Sequence, residues 1–348
     1  MRKKHGTLGA VAAALTLAVV AAACSSNDSS STASGDSGSA ASPVTGSIVI
    51  SGSSTVQPIS SYVAELFNQT NPDVSISVDG PGTGDGFVLF CKGETDISDA
   101  SRPIEPEEAK ACKKSGIDYT ELEIGLDGIT VMTNPANSGV ECLNLGDLYA
   151  LFGPESTGID TWSGADSLAK QVGGTGGFPD APLEITAPGE ESGTYDSFID
   201  LAGIEDTALA QGVPEDQAAS LRSDYTGSPD DNVIITAMEG SDSALGFVGF
   251  AYAQEAADQV KEIQVDGGSG CVAPTTDTIS DGSYPLSRSL YIYVNNAKLA
   301  DSAALKAFVD YYVSEEGLNT AVTETGYVPL PTDRVTATQS TWSSASGS

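Results

Sequence analysis

The 348 residues carry 15 Lys and Arg against 48 Asp and Glu, a formal net charge of -33 at pH 7, with 40% hydrophobic residues and a single histidine. So acidic a chain repels nucleic-acid phosphates, which excludes nucleic acid as a partner. A local anion site stays compatible with that charge, because exposed charges farther than about 10 Å are largely screened at ~0.1 M salt.

The N-terminus reads as an export signal. Arg2, Lys3 and Lys4 precede an uncharged apolar stretch, residues 8–23, that ends Ala21-Ala22-Ala23-Cys24. It is too short for a membrane span and is flanked as a secretory signal is. Small residues running into a cysteine predict a bacterial lipoprotein: 1–23 is removed and Cys24 is lipidated. Ordinary secretion, with Cys24 an incidental thiol, is the alternative. Residues 24–45, rich in Ser, Ala and Gly, predict a flexible spacer, and the similar tail 336–348 is expected to fray. Processing also removes His5, the one histidine. Ser-His-Asp and Cys-His nucleophiles and histidine-ligated metals are then excluded, so no catalytic residue, metal or cofactor is expected.

With Cys24 lipidated, Cys91, Cys112, Cys142 and Cys271 remain for two disulfides outside the cytoplasm. Three pairings are open to them. The expected one is a local Cys91–Cys112 bridge and a long-range Cys142–Cys271 bridge.

Along the chain, short apolar runs alternate with helical patterns. Ser47–Ile50 predicts a strand, and Val56, Ile59, Val63, Leu66 and Phe67 recur at helical spacing. Val74–Val78 alternates as a strand, and a helical stretch runs through Phe87, Phe90 and Cys91. Ile129–Thr133, Leu183–Ala187, Leu245–Phe250 and Leu290–Val294 are further strands. Leu305, Phe308, Val309 and Tyr312 mark a late amphipathic helix. Strands alternating with helices predict an α/β architecture with largely parallel sheets.

Three segments share one design, running from a strand through small hydroxyl or glycine residues into a helix. They are Ser51-Gly52-Ser53-Ser54-Thr55, Gly82-Thr83-Gly84-Asp85-Gly86, and Glu191-Ser192-Gly193-Thr194. A helix N-terminus presents unpaired N–H groups and partial positive charge. Three of them converging would surround a tetrahedral oxyanion with donors. Each alone is an ordinary N-cap. Gly82–Gly86 lacks the Lys-Ser/Thr of a P-loop and the third glycine of a dinucleotide site. Gly173–Gly177 has no strand-to-helix context and reads as a mobile loop.

At these loops the sequence resembles the substrate-binding protein of the phosphate-specific ABC transporter, in its branch with a Ser-Arg-Pro motif. The matching stretches are SGSSTVQP (51–58), GPGTGDGF (80–87), DISDASRPI (96–104), DGITV (127–131), ESGTYDSF (191–198), DYTGSPDDN (224–232), ALGFVGFAY (244–252) and YPLSRSLYIYV (284–294). The resemblance implies a type II periplasmic-binding-protein fold, two α/β lobes joined by two crossing hinge strands. Lobe I would comprise 46–127 and a return segment, 281–335; lobe II would be 128–280.

Carried over by position, the resemblance implies phosphate contacts from Ser54, Thr55 and Thr83 on one lobe and Ser192, Gly193 and Thr194 on the other. Many relatives place an arginine just before the Ser-Gly-Thr segment, where this chain has Ala187-Pro188-Gly189-Glu190. Arg102 is therefore the expected cation, with Ser101 a further donor and Glu190 or Glu191 orienting the guanidinium. Asp127 is the expected acceptor for a phosphate proton, which would reject fully deprotonated sulfate. Asp224, Asp230, Asp231 and Asn232 form a polar cluster without calcium-loop spacing; it reads as a helix start capped by Ser228. The implied function is reversible capture of inorganic phosphate by an exported monomer, membrane-anchored through Cys24, which delivers it to the permease subunits of an ABC importer. Sulfate or molybdate binding, phosphate-ester hydrolysis and adhesion are the competing readings.

Overall fold

The computed structural model of the chain describes residues 44–190 and 192–347; the export stretch, Cys24 and nearly all of the spacer lie outside the described residues. In chain order the strands are β1 (Gly46–Gly52), β2 (Val74–Asp79), β3 (Ile97–Ala100), β4 (Tyr119–Thr133), β5 (Cys142–Asn144), β6 (Glu184–Pro188), β7 (Thr226–Ser228), β8 (Ala244–Gly249), β9 (Lys261–Glu262), β10 (Gln264–Asp266), β11 (Cys271–Val272) and β12 (Ser287–Asn295). The main sheet runs β2-β1-β3-β12-β4-β8-β6-β7, with β9 beside β4, and β11-β10-β5 form a small second sheet.

The sheet is mixed rather than largely parallel. β1 pairs in parallel with β2 and β3, and β6 with β7 and β8. The central strands β12 and β4 run antiparallel to each other and to their outer neighbours β3 and β8. Local periodicity reports that a segment is a strand but not which strand it lies beside.

Two α/β lobes result. The first lobe's core joins Ile48, Ile50, Ile97, Ile124 and Ile292 of the sheet to Ile59, Val63 and Phe67 of helix α1 (Gln57–Thr70). These α1 residues stand four apart, on one helical face. Phe67 meets Phe308 of the helix Ala303–Tyr312 edge-on, with ring centroids 5.5 Å apart. Two further helices, α2 (Thr83–Phe90) and α3 (Pro106–Lys114), contribute Phe87, Phe90 and Cys112 to a second cluster on this lobe. The other lobe gathers Phe152, Phe198 and Phe247, the last two stacked at 4.0 Å. Tyr284 and Leu286 belong to that core. Burying such side chains contributes roughly 1.5–3 kcal/mol each.

β4 is a 15-residue strand that serves both lobes: Tyr119–Gly128 pair with β12, and Ile129–Thr133 with β8. The cysteines pair Cys91–Cys112, with Cα atoms 4.2 Å apart, and Cys142–Cys271, at 6.0 Å.

The C-terminal tail does not fray as its composition suggested. Thr332–Ser346 is a helix that buries Thr338 and Trp342. Trp342 Nε1 donates to Asp310 Oδ1 at 2.7 Å, and Thr338 Oγ1 donates to the Glu123 carbonyl at 2.7 Å. Nor is Gly173–Gly177 loose: the Gly176 amide donates to Asp147 Oδ1 at 2.9 Å and that of Gly177 to Asp166 Oδ1 at 2.7 Å. The helix Asp231–Gly240 is capped by Asp230, not Ser228; Asp230 Oδ1 accepts from the Asn232 amide at 3.0 Å. Ser228, two residues earlier, instead accepts from the Asp230 amide.

Candidate functional site

β1 ends at Gly52, and the chain turns through Ser53-Ser54-Thr55 into α1. The turn is pinned from below: the Ser53 amide donates to the Asp99 carbonyl at 2.9 Å, and Ser53 Oγ accepts from the Val56 amide at 3.3 Å. Gly52 is required here, since a Cβ would collide with the Asp99 main chain. The second loop docks on the same residue through the Gly82 amide, 2.8 Å from the Gly52 carbonyl. Gly82 has φ 114°, a conformation that favours glycine and aims the first turn of α2 at the first loop. Thr83 Oγ1 accepts from the Ser101 amide at 3.2 Å and lies 3.1 Å from Ser101 Oγ. The amides of Ser54 and Thr55 make no hydrogen bond among the described residues, and those of Thr83 and Gly84 are the unpaired first-turn donors of α2.

These loops wall a cavity of about 340 Å³. Ser53, Ser54, Thr55, Gly82, Thr83, Gly84, Ser101 and Arg102 line one side. Asp196, Ile199 and Asp200 line the other, at helical spacing on one face of the helix Gly193–Leu201. Ser192, Gly193 and Thr194 are not on the wall. Ser192 Oγ caps its own helix by accepting from the Thr194 amide at 3.2 Å. Gly193 lies against the first loop so closely that a Cβ would stand 3.0 Å from Thr55 Cα.

The lobes already touch across the cavity. Ser54 Oγ donates to Asp196 Oδ2 at 2.5 Å, and Thr55 Oγ1 lies 3.0 Å from Ser197 Oγ. Burial raises the Asp196 carboxyl above the ordinary range; Asp200 adds to the shift, while the Ser54 bond and Arg288 oppose it.

Arg288, which sequence reasoning passed over, organises the centre. It stands on β12 directly opposite Asp127 on β4. Its Nε is 3.4 Å from Asp127 Oδ2, with the two side chains 11% and 4% exposed. Nη1 donates to Asp200 at 2.9 Å, and Nη2 to Ser197 Oγ at 2.5 Å and Thr55 Oγ1 at 3.2 Å. The available signal was a cation set in an apolar strand of a very acidic chain. Asp127 is thus a strand residue behind the arginine rather than a residue of the cavity wall.

Arg102 reaches the wall; among the described residues Glu190 does not orient it, and Glu191 lies outside the described residues. Glu108 holds it with two bonds of 2.8 Å, Glu105 lies 3.5 Å away, and the Phe87 ring lies 5.8 Å beneath. The Glu108 bond raises Arg102 above its ordinary value against burial. For Glu108 itself burial acts upward, and the Arg102 and Glu105 bonds outweigh it, so its carboxyl titrates low. Glu108 is held in place by the capping box of α3, its Oε2 accepting from the Glu105 amide at 2.8 Å, so its position follows from the helix start. Asp224 is committed to Arg222, whose Nε is 2.6 Å away, and is held down to about 2 by that bond. Among the described residues no group of three His, Cys, Asp or Glu could hold a metal, and no helix is long and apolar enough to cross a membrane.

Two lobes on shared central strands, with hydroxyls, helix N-termini and a buried arginine at their junction, define a solute-binding protein of the periplasmic type. A family model described as a PBP superfamily domain matches residues 37–316. Protein SphX of Synechocystis sp. is 39% identical over 289 residues, 82% of this chain and 79% of that protein. The phosphate-binding protein PstS of Staphylococcus saprophyticus is 32% identical over 296 residues, 85% and 84% of the two chains. The crystal structure of a "possible phosphate binding protein" from Planctomyces limnophilus superposes with TM-score 0.77 at 36% identity, covering 87% of this chain and 99% of that one. The chain belongs to the PBP superfamily and, within it, to the PstS family of substrate-binding proteins of phosphate ABC transporters.

Proposed function

We propose that this protein captures inorganic phosphate in the cavity between its lobes and delivers it to the permease of an ABC importer, from an anchor at Cys24. The observation that carries the reading is the convergence of the free amides and hydroxyls of Ser54, Thr55 and Thr83 with Arg102 and Arg288 on one small cavity. The PstS relatives, named for phosphate binding, agree with it. Helix N-termini and guanidinium forks are both suited to a tetrahedral oxyanion. Gly193 supports the site by holding the first loop, its carbonyl accepting from Thr55 Oγ1 at 3.3 Å, and Ser192 caps the helix that carries it. The anchor rests on the Ala21-Ala22-Ala23-Cys24 sequence.

The wall also carries carboxylates, Asp196 and Asp200, which oppose a fully ionised guest. A phosphate that keeps a proton can donate to one of them; sulfate cannot, and would meet a like charge with no hydrogen bond to offset it. We assign that acceptor role to Asp196, which faces the cavity, in preference to Asp127. Calorimetric titration of phosphate-stripped protein should show one phosphate site and little sulfate binding. Asp196→Asn should narrow the preference, and Thr83→Ala should weaken phosphate about 5–10-fold, the loss of one hydrogen bond. Absence of phosphate binding, or equal affinity for sulfate in the unaltered protein, overturns the reading.

A further inference from the structure

Asp99 is the penultimate residue of the first lobe's β3, beneath the anion loop, and the binding contacts above do not use its side chain. Its side chain is fully buried. Oδ1 accepts from Ser60 Oγ at 2.9 Å, and Ser60 Oγ lies 3.0 Å from the Tyr312 hydroxyl. Oδ2 is buried without a hydrogen-bond partner, as is the neighbouring Ser98 Oγ. The main chain of Asp99 forms the floor of the loop: its carbonyl receives the Ser53 amide, and Gly52, its partner on β1, presses against it.

Among the described residues the groups around it offer no compensating cation. α1 presents Ser60, and the helix Ala303–Tyr312 presents Tyr312 through Ser60. β1 pairs Gly52 with it and β12 pairs Ile292, neither of which titrates. A charged carboxylate in that setting has one accepted bond and no counter-ion, and a buried charge without a partner is costly.

Resting on the phosphate reading, we propose that Asp99 is a positioning residue of the anion loop that supports binding only as the neutral acid, so that its ionisation lowers anion affinity. The neutral acid leaves the loop floor uncharged and gives Asp99 a proton to donate locally. The ionised form places an uncompensated minus charge against Ser60 of α1, the helix that the anion loop opens, and draws water or main-chain donors towards its orphan oxygen, disturbing the floor on which Ser53 rests. Burial raises this carboxyl to about 7, against the Ser60 bond, so the change falls in the physiological range.

The sign is definite. Below the transition Asp99 is neutral and affinity is full; as pH rises through about 7 the charge appears and affinity falls. Phosphate itself titrates over the same range, so the informative quantity is a ratio at matched pH. Calorimetric dissociation constants for inorganic phosphate are measured for the unaltered protein and Asp99→Asn from pH 5.5 to 8.5. The ratio should be flat at the acid end and grow at least about 10-fold, in disfavour of the unaltered protein, towards pH 8.5. Ser60→Ala removes the bond that favours the charged form, so the midpoint should move to higher pH. Should Asp99→Asn fail to fold, the direction of the Ser60→Ala shift decides. A ratio constant with pH, or a Ser60→Ala midpoint that does not rise, overturns the proposal while leaving phosphate binding intact. No phosphate binding at any pH removes both readings.

Discussion

Replacing Arg288 tests the centre of the site. Arg288→Met keeps most of the aliphatic volume and deletes the guanidinium. Asp127, whose Oδ2 has the guanidinium 3.4 Å away as its only counter-ion among the described residues, is then left buried and uncompensated. Removing one partner of a buried pair costs about 3–5 kcal/mol, a large part of a total stability of roughly 5–15 kcal/mol. Arg288→Met/Asp127→Asn removes the stranded charge and should recover most of that loss. The pair therefore shows a strong coupling energy in a double-mutant cycle. Urea unfolding, read as a shift in midpoint at constant slope, gives the four stabilities. Phosphate affinity follows a different pattern. Both arginine variants lose the bonds to Thr55 and Ser197 that tie the lobes, and both should bind about 10–100-fold more weakly, as for a lost charge-assisted bond. If Arg288→Met costs under about 1 kcal/mol, or the two substitutions add without coupling, the ion pair is not what holds this junction. If phosphate affinity is unchanged, Arg288 is no part of the site.

The disulfides should contribute unequally. Cys142 and Cys271 are 129 residues apart and Cys91 and Cys112 are 21 apart, so loop-closure entropy assigns about 5 and about 3 kcal/mol. Serine pairs compared by thermal melting should rank accordingly, and a reversed order would mean native contacts outweigh chain entropy. A chain ending at Pro331 removes the helix that caps the first lobe and buries Trp342. It should melt at least 5 °C lower, about 2 kcal/mol or more for a domain of this size; an unchanged melting temperature would return the tail to the frayed segment its composition suggests.

What could be read from the sequence divides along physical lines. The strand and helix runs of each lobe and the first two loops were legible, because periodicity and small residues at strand ends are local signals. Strand neighbours were not: β12 (Ser287–Asn295) sits between β3, which ends at Ala100, and β4, which ends at Thr133, and no local pattern reports so distant a pairing. Arg102 showed the same limit. Its partner, Glu108, lay six residues away in a helix-capping position, while the expected partners lay near the third loop. The C-terminal helix was misread because Ser and Thr dominate it, and two buried positions, Thr338 and Trp342, suffice to hold it down. Arg288 lay inside a stretch already noted for its resemblance, yet its role depends on a cross-strand neighbour, Asp127, that only the register supplies.

The placement of β12 has a consequence for how the chain is made. The first lobe's sheet lacks an interior strand until residues 287–295 have appeared, whereas every strand of the other lobe lies between the two visits to the first. A chain emerging from its N-terminus would therefore hold an incomplete first sheet, with β3 and β4 edges unmatched, while the later lobe closes on itself. The loops at Ser54 and Thr83 belong to the first part of that lobe to be made and would be among the last to acquire their final shape.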